Sequence, residues 1–305
     1  MRRNASIDFL RALMMLGIVL LHIVASPERW EAWRPVACML LPCVVGFVFI
    51  SGYFSVKFSW RKLLALYGTA SWCLGVVWVI SGAGFSEMVQ MFKGKWFLHA
   101  YAILMCVVPV INFAIDKFQG LRMFMPLIVV IFGWGFLANM AFVHHYIPQM
   151  PEFTGKSGLT LIGIYIVARF YRLNEKRFDA VQSRWYCLVL LPLLALCSFG
   201  QGWFGNYNSP VALLLALCVF HLVKQIRLPN VVGQLMVFLS PSIFSVYILH
   251  ANQRAYDWMN VLIQKIPLPE ALTFVFVALI VFVLCSLIDL PRRAVVGLIR
   301  KRISA

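Results

Sequence analysis

Charged side chains are scarce in this sequence. Only 12% of its 305 residues carry a charge, and only 11 are aspartate or glutamate, whereas 62% are hydrophobic. A water-soluble domain cannot bury that much apolar surface, so the composition excludes a soluble globular protein. We expect instead an all-α, polytopic membrane protein.

The patterns of disulfide and metal proteins are absent as well. The eight cysteines lie within or at the edges of apolar runs, without a Cys-x-x-Cys pair or a zinc-like Cys/His spacing. We therefore interpret the cysteines as small apolar residues and expect no metal.

Apolar runs of membrane-spanning length, in contrast, fill the chain. About ten transmembrane helices are predicted. They cover roughly residues 7–25, 36–56, 62–80, 96–115, 121–142, 158–173, 186–204, 209–226, 235–252 and 270–290. Because we see neither an internal repeat nor a linker, we predict a single transmembrane domain over residues 1–305.

The distribution of basic residues predicts the orientation. Twenty of the 27 basic residues lie on the side of the N-terminus, which the positive-inside rule assigns to the cytoplasm. Both termini are therefore predicted to be cytoplasmic (N-in and C-in). Topology and membrane lipids account for the net charge of +16, so we expect no nucleic acid partner. A cleaved signal peptide is an alternative for the N-terminus, but Asp8 and Arg11 interrupt its apolar region.

The first span combines charged and titratable residues. Asp8 and Arg11 lie near its start, and His22 follows Arg11 by eleven positions. That step ends about 20° from the same helix face and about 16 Å along the axis. Asp8 lies one turn before Arg11, so all three side chains can share one interior face. Ionisable groups inside a membrane helix are unfavourable, and by default they indicate a functional path.

Structural explanations exist for the same three residues. Arg11 can extend to the lipid headgroups, and Asp8 can cap the helix. His22 can be a neutral interfacial residue with one hydrogen bond. The first helix alone leaves both interpretations open.

The second span ends at Ser51-Gly52, a pair of small residues that permits close helix packing. A compact basic loop follows, with Lys57, Arg61 and Lys62. Such a loop binds either a phosphorylated ligand or anionic lipid.

Three later stretches contain prolines or histidines within or between spans. Pro109 with Asn112 indicates a kinked helix that turns a polar group inward. His144-His145 is too isolated in its outer loop to indicate a metal site. Ser240-Pro241-Ser242 indicates an internal helix in the ninth span. For His250, near the outer end of that span, an interfacial position is one interpretation.

Together these residues resemble acyltransferase family 3. The matching stretches follow the order of the family and extend over nearly the whole chain, and the spacing from Arg11 to His22 is the most specific of them. They are Asn4 with Asp8-Phe9-Leu10-Arg11, Arg11 with His22, Phe49 through Tyr53, Trp96-Phe97-Leu98 with Tyr101, Pro109 and Asn112, Asn208-Ser209-Pro210, and Val246 through His250. The resemblance is closest to the branch that O-acetylates bacterial surface polysaccharides and exopolysaccharides.

The resemblance implies an O-acyltransferase in a bacterial cytoplasmic (inner) membrane. The donor would be cytoplasmic acyl-CoA, usually acetyl-CoA. The acceptor would be a hydroxyl of a cell-surface carbohydrate or of a lipid-linked glycan. By motif, His22 would be the essential histidine, and Arg11 and Asp8 would complete the catalytic set.

The resemblance also implies a place for the donor. Arg61 and Lys62 lie where family members carry a basic motif, and with Ser51 they are the predicted acyl-CoA-binding residues. Since CoA has a long pantetheine arm, its phosphates can bind near Arg11 and the basic loops while the thioester reaches His22.

A membrane transporter or flippase of a glycan or small polar substrate is the alternative function. In it, Asp8, Arg11 and His22 would form a proton or substrate path. However, the sequence shows no inverted repeat and almost no acidic residue in mid-membrane, because Asp289 is placed at the end of a span. A purely structural membrane subunit is a third interpretation, which the shared face of Arg11 and His22 disfavours.

Overall fold

All regular structure in the described part of the chain is helical. A computed structural model describes residues 4–82, 84–118, 124–138, 155–199 and 206–304. The α-helices in these ranges are α1 (Ala5–Val24), α2 (Trp30–Leu40), α3 (Pro42–Tyr53), α4 (Trp60–Ser81), α5 (Phe85–Lys93), α6 (Trp96–Phe118), α7 (Met125–Ala138), α8 (Gly158–Leu173), α9 (Glu175–Asp179), α10 (Ser183–Phe199), α11 (Pro210–Lys224), α12 (Asn230–Leu239), α13 (Ile243–His250), α14 (Gln253–Lys265), α15 (Glu270–Ile288) and α16 (Leu290–Ser304).

Six helical segments of the described chain are long and apolar enough to cross a membrane. They are Ala5–Val24, Trp30–Tyr53, Trp60–Ser81, Trp96–Lys117, Asn230–His250 and Glu270–Ile299. The prediction of an all-α, polytopic membrane protein is therefore confirmed. A helix overlaps each of the ten predicted ranges, but the count of ten spans and the orientation of the termini stay predictions.

Proline accounts for the breaks within two of these segments. Pro42 begins α3 directly after the break at Leu41, a favourable first-turn position because proline lacks an N–H group. Pro241 lies in the one-turn 3-10 helix Ser240–Ser242, which separates α12 from α13. The sequence indicated an internal helix here and did not predict the 3-10 turn.

The chain divides into two compact units. The first unit comprises Met1–Ser26, Leu64–Lys95 and Arg227–Ala305, and the second comprises Pro27–Leu63 and Trp96–Ile226. The single domain over residues 1–305 stays a prediction.

Helix α1 forms the centre of the first unit. It packs against α12, α13 and α15, and α14 also packs on α15. Its buried side chains include Leu10, Met14, Ile18 and Val19. Between helices in a membrane, such side chains stabilise the fold through van der Waals packing.

The second unit is built around α3, α8 and α11. Helix α3 packs against α8 and α11, α10 packs on α11, and α6 and α7 pack on α8. Helices α3 and α8 approach closely at Gly52, where a Cβ atom would lie 2.6 Å from both the Tyr165 carbonyl oxygen and the Ala168 Cβ. The small-residue interpretation of this pair therefore holds at Gly52.

Candidate functional site

A pair of histidines lies in the first unit. His22 is in the last turn of α1 and His250 is the last residue of α13. The His22 Nδ1 and His250 Nε2 atoms are 2.8 Å apart, and the ring centroids are 4.9 Å apart. His250 is completely buried within the protein, and its interfacial position in the membrane stays a prediction. The packing of α13 against α1 and α15 covers its ring.

The hydrogen bonds assign the tautomers of this pair. The Nδ1 of His250 lies 2.6 Å from the Val246 carbonyl oxygen, which only accepts, so this nitrogen carries a proton. Burial favours the neutral ring, and the His250 Nε2 is then an acceptor for Nδ1–H of His22. In a neutral His22 ring, Nε2 is consequently the unprotonated nitrogen. Such a nitrogen is suited to act as a base or a nucleophile.

Asp8 and Arg11 form an ion pair in the same unit. The Arg11 Nη1 lies 2.8 Å from the Asp8 Oδ1, and the Ser240 hydroxyl donates to that oxygen at 2.7 Å. Asp8 is fully buried, whereas the Arg11 side chain is 32% exposed. Asp8 does not cap α1, because the Asn4 side chain accepts from the Ser6 N–H instead.

A second buried carboxylate, Asp289, follows α15. Asp289 accepts from the Ser245 hydroxyl at 2.6 Å and from Arg292 Nε and Nη2 at 2.6 and 2.9 Å. Its burial is complete. Asp289 is the C-cap of α15, at the end of the helix as the sequence indicates, and it is buried within the first unit.

The two carboxylates fix the segment that leads to His250. Asp8 holds Ser240 at the start of the 3-10 turn, and Asp289 holds Ser245 in the first turn of α13. Each carboxylate also has an arginine three positions along the chain, which compensates the buried charge. The site therefore has a rigid support, as positioned catalytic groups require.

Lys95 contacts the residue that follows His250. Its ammonium donates to the Ala251 carbonyl, and the side chain is only 2% exposed. Burial lowers the pKa of Lys95 to about 8. No sequence motif marks Lys95 as part of this site.

The Tyr256 ring lies edge-on to His22, with ring centroids 5.8 Å apart. Burial raises the pKa of the Tyr256 hydroxyl to about 12.

The predicted acyl-CoA-binding residues belong to the second unit. The Ser51 hydroxyl donates to the Phe47 carbonyl at 3.1 Å and lies 3.0 Å from the Tyr101 hydroxyl. Arg61 and Lys62 are exposed in the first turn of α4. The role of Ser51, Arg61 and Lys62 in binding acyl-CoA stays a prediction.

The inward-facing amide expected in the fourth span is present. Asn112 in α6 donates to the Val56 carbonyl at 3.4 Å and accepts from the Tyr165 hydroxyl at 3.0 Å. These bonds tie α6 to α8 within the second unit. His144-His145 lies outside the described residues.

The second unit has a buried histidine of its own. His221 Nδ1 lies 2.7 Å from the Tyr171 hydroxyl, and His221 Nε2 lies 2.7 Å from the Gln225 amide nitrogen. The Tyr186 ring stacks on the imidazole at a centroid distance of 3.9 Å. Both nitrogens therefore have partners within the protein, which is the pattern of a structural histidine.

Comparison with known proteins identifies the family. The sequence profile of acyltransferase family 3, described as an acyltransferase domain, matches residues 4–290. Neither a curated protein nor a solved structure gives a match. Because the profile covers nearly the whole chain, including both histidines of the pair, this multi-pass membrane protein belongs to acyltransferase family 3.

Proposed function

We propose that this protein transfers an acetyl group, or a similar acyl group, from cytoplasmic acyl-CoA to a hydroxyl of a cell-surface or lipid-linked carbohydrate. The proposal places it in a bacterial inner membrane with ten spans and both termini in the cytoplasm. One observation carries it beyond family membership. The Val246 carbonyl and His250 together leave His22 with an unprotonated Nε2.

In the proposed reaction, His22 Nε2 takes the proton of the acceptor hydroxyl. The oxygen attacks the thioester carbonyl, and a tetrahedral oxyanion forms. The C–S bond then breaks, the ester remains on the acceptor, and the CoA thiolate takes the proton from the imidazolium. His250 accepts the Nδ1–H bond throughout and holds the His22 ring in the reactive orientation.

The charged residues of α1 would serve the donor end of the reaction. The Arg11 guanidinium offers several hydrogen-bond donors and is partly exposed, which suits a contact with a CoA phosphate. Asp8 would orient Arg11 and hold Ser240, so its proposed role is positioning. The rise of about 16 Å from Arg11 to His22 fits a pantetheine arm between phosphates and thioester. Ser51, Arg61 and Lys62 are proposed to bind the same donor.

The test uses the purified protein in liposomes that contain acetyl-labelled acetyl-CoA, with a panel of lipid-linked glycans added. We expect label in the glycan and an equal amount of free CoA. A transporter would instead move glycan or label across the bilayer without releasing CoA, and that result would overturn the proposed function.

A further inference from the structure

A largely apolar cavity borders the histidine pair. It has a volume of about 530 Å³ and is lined by residues of α4, α13, α14 and α15 that all belong to the first unit. That volume falls within the range of roughly 300–1,000 Å³ that is typical of ligand pockets. Its apolar walls include Val77, Ile80, Trp258, Met259, Val281 and Leu284. Such a lining suits a hydrocarbon chain and excludes a free sugar or nucleotide as its main occupant.

One cationic side chain lines this apolar space. Arg254 is exposed and lies in the first turn of α14. Among the described residues, no carboxylate pairs with it, and Asp257 accepts from Gln253 at 3.0 Å instead. Helix dipoles disfavour a cation at a helix N-terminus, so the position of Arg254 does not stabilise α14. An anion bound next to this apolar cavity would account for the position of Arg254.

The lining of the cavity includes one residue of the histidine pair, the buried His250. The His250 ring accepts the hydrogen bond from His22. Asn252, which caps α14 through the Ala255 N–H, also lines the cavity. A molecule in this space would therefore lie beside the residue that sets the tautomer of His22.

We propose that the cavity holds the hydrocarbon chain of a phosphate-bearing lipid that carries the acceptor. Arg254 binds the phosphate, and the attached sugar brings its hydroxyl to the His22–His250 pair. This inference rests on the proposed function, because it names the acceptor class of that site as lipid-linked.

Binding without any donor tests this inference separately from the reaction. The probes are geranylgeranyl phosphate, the neutral alcohol geranylgeraniol, dioleoyl phosphatidate and inorganic phosphate. Their binding to the purified full-length protein is measured by native mass spectrometry. We expect geranylgeranyl phosphate to bind about tenfold more tightly than the alcohol, because a charge-assisted contact adds to the apolar one. Inorganic phosphate alone should not bind detectably.

Two variants and a matched control locate the lipid. Arg254→Gln should remove the preference for phosphate over alcohol, and Ala255→Trp should weaken both lipids about tenfold by filling the space. Lys265→Gln, at the exposed opposite end of α14, should change neither affinity. Melting temperatures near that of the wild type confirm that each variant is folded.

Two results would overturn the inference. The first is an unchanged phosphate preference in Arg254→Gln together with unchanged affinities in Ala255→Trp. The second is phosphatidate binding as tightly as geranylgeranyl phosphate, which would identify a resident phospholipid. Either result leaves the proposed function standing if labelled acetyl still reaches a glycan. Failure of transfer with intact lipid binding would instead count against the reaction and not against the cavity.

Discussion

The two units each bury a histidine completely, but they surround it differently. In the second unit, His221 has a tyrosine hydroxyl and a glutamine amide on its two ring nitrogens. In the first unit, His250 uses one nitrogen for a carbonyl and the other for a partly exposed histidine, His22. In the second unit the partners are a hydroxyl and an amide, whereas in the first unit one partner is a second imidazole, which we propose acts on the substrate.

Burial alone therefore does not identify a functional histidine. What separates the two sites is the partner at the end of the hydrogen-bond chain. A hydroxyl or an amide only satisfies the hydrogen bonds of the buried imidazole. When the partner is a second imidazole, the buried ring fixes the tautomer of that partner, which can then act as a base or a nucleophile. Variants of the two histidines should therefore fail in different ways.

The largest expected effect follows substitution of His250. His250→Leu removes the acceptor for His22 Nδ1–H, and we expect the turnover number for transfer to fall at least about 100-fold. His250→Gln keeps an acceptor oxygen near that position and should lose no more than about tenfold. Steady-state kinetics of both variants, with kcat separated from KM, make the measurement. Equal losses in the two variants would show that only packing matters at His250.

Substitution of His221 should show the opposite pattern. His221→Leu leaves the Tyr171 hydroxyl and the Gln225 amide without their partner, so we expect a loss of about 1–3 kcal/mol in stability. Thermal unfolding in detergent measures it. Transfer per folded molecule should stay at the wild-type level, and a 100-fold loss would break the proposed distinction between the two histidines.

The tight packing of the second unit can be tested with a glycine pair. At Gly52 a new Cβ would meet the Tyr165 carbonyl oxygen and Ala168 at 2.6 Å, whereas at Gly75 in α4 it would meet no atom within 4 Å. We expect Gly52→Ala to destabilise the protein by about 1–3 kcal/mol. Gly75→Ala should be neutral or slightly stabilising, since alanine favours a helix. Similar melting shifts in both variants would contradict the close contact.

The smallest expected effect concerns Lys95 in the first unit. Because burial lowers its pKa to about 8 from 10.5, the unfolded chain binds more protons than the folded chain between these values. The contribution of Lys95 to stability should therefore rise with pH in that window, by up to about 1.4 kcal/mol per pH unit. Melting temperatures of wild type and Lys95→Met between pH 7.5 and 9.5 measure it. A difference between them that does not change with pH would show that Lys95 keeps an ordinary pKa.

Much of the fold follows from the sequence. Apolar runs predict the positions of the main helices, whereas the 3-10 turn at Pro241 before α13 is a finding of the structure. The short helices α5, α9 and α14 were not predicted, because they are too polar for a search that looks for spans. Whether such short polar segments form helices depends on the elements that they pack against, and the composition of the sequence does not show those contacts.

The site was only half predictable for a related reason. Helical periodicity relates Asp8, Arg11 and His22, since they share one helix. The contacts from Asp8 to Ser240 and from His22 to His250 join residues more than 200 positions apart. Periodicity within one span carries no information about such pairs. From the sequence, His250 was therefore interpreted as an interfacial residue. Periodicity likewise carries no information about the contact of Asp289 with Ser245, which lies on another helix.

The most direct test of the account is single-turnover transfer of labelled acetyl by His22→Ala and by wild type in the same liposomes. The melting temperature of each preparation is measured alongside. We predict that the variant inserts and melts like wild type while transfer falls by at least about 100-fold. Transfer within a few-fold of wild type would contradict the claim that the His22–His250 pair performs the chemistry.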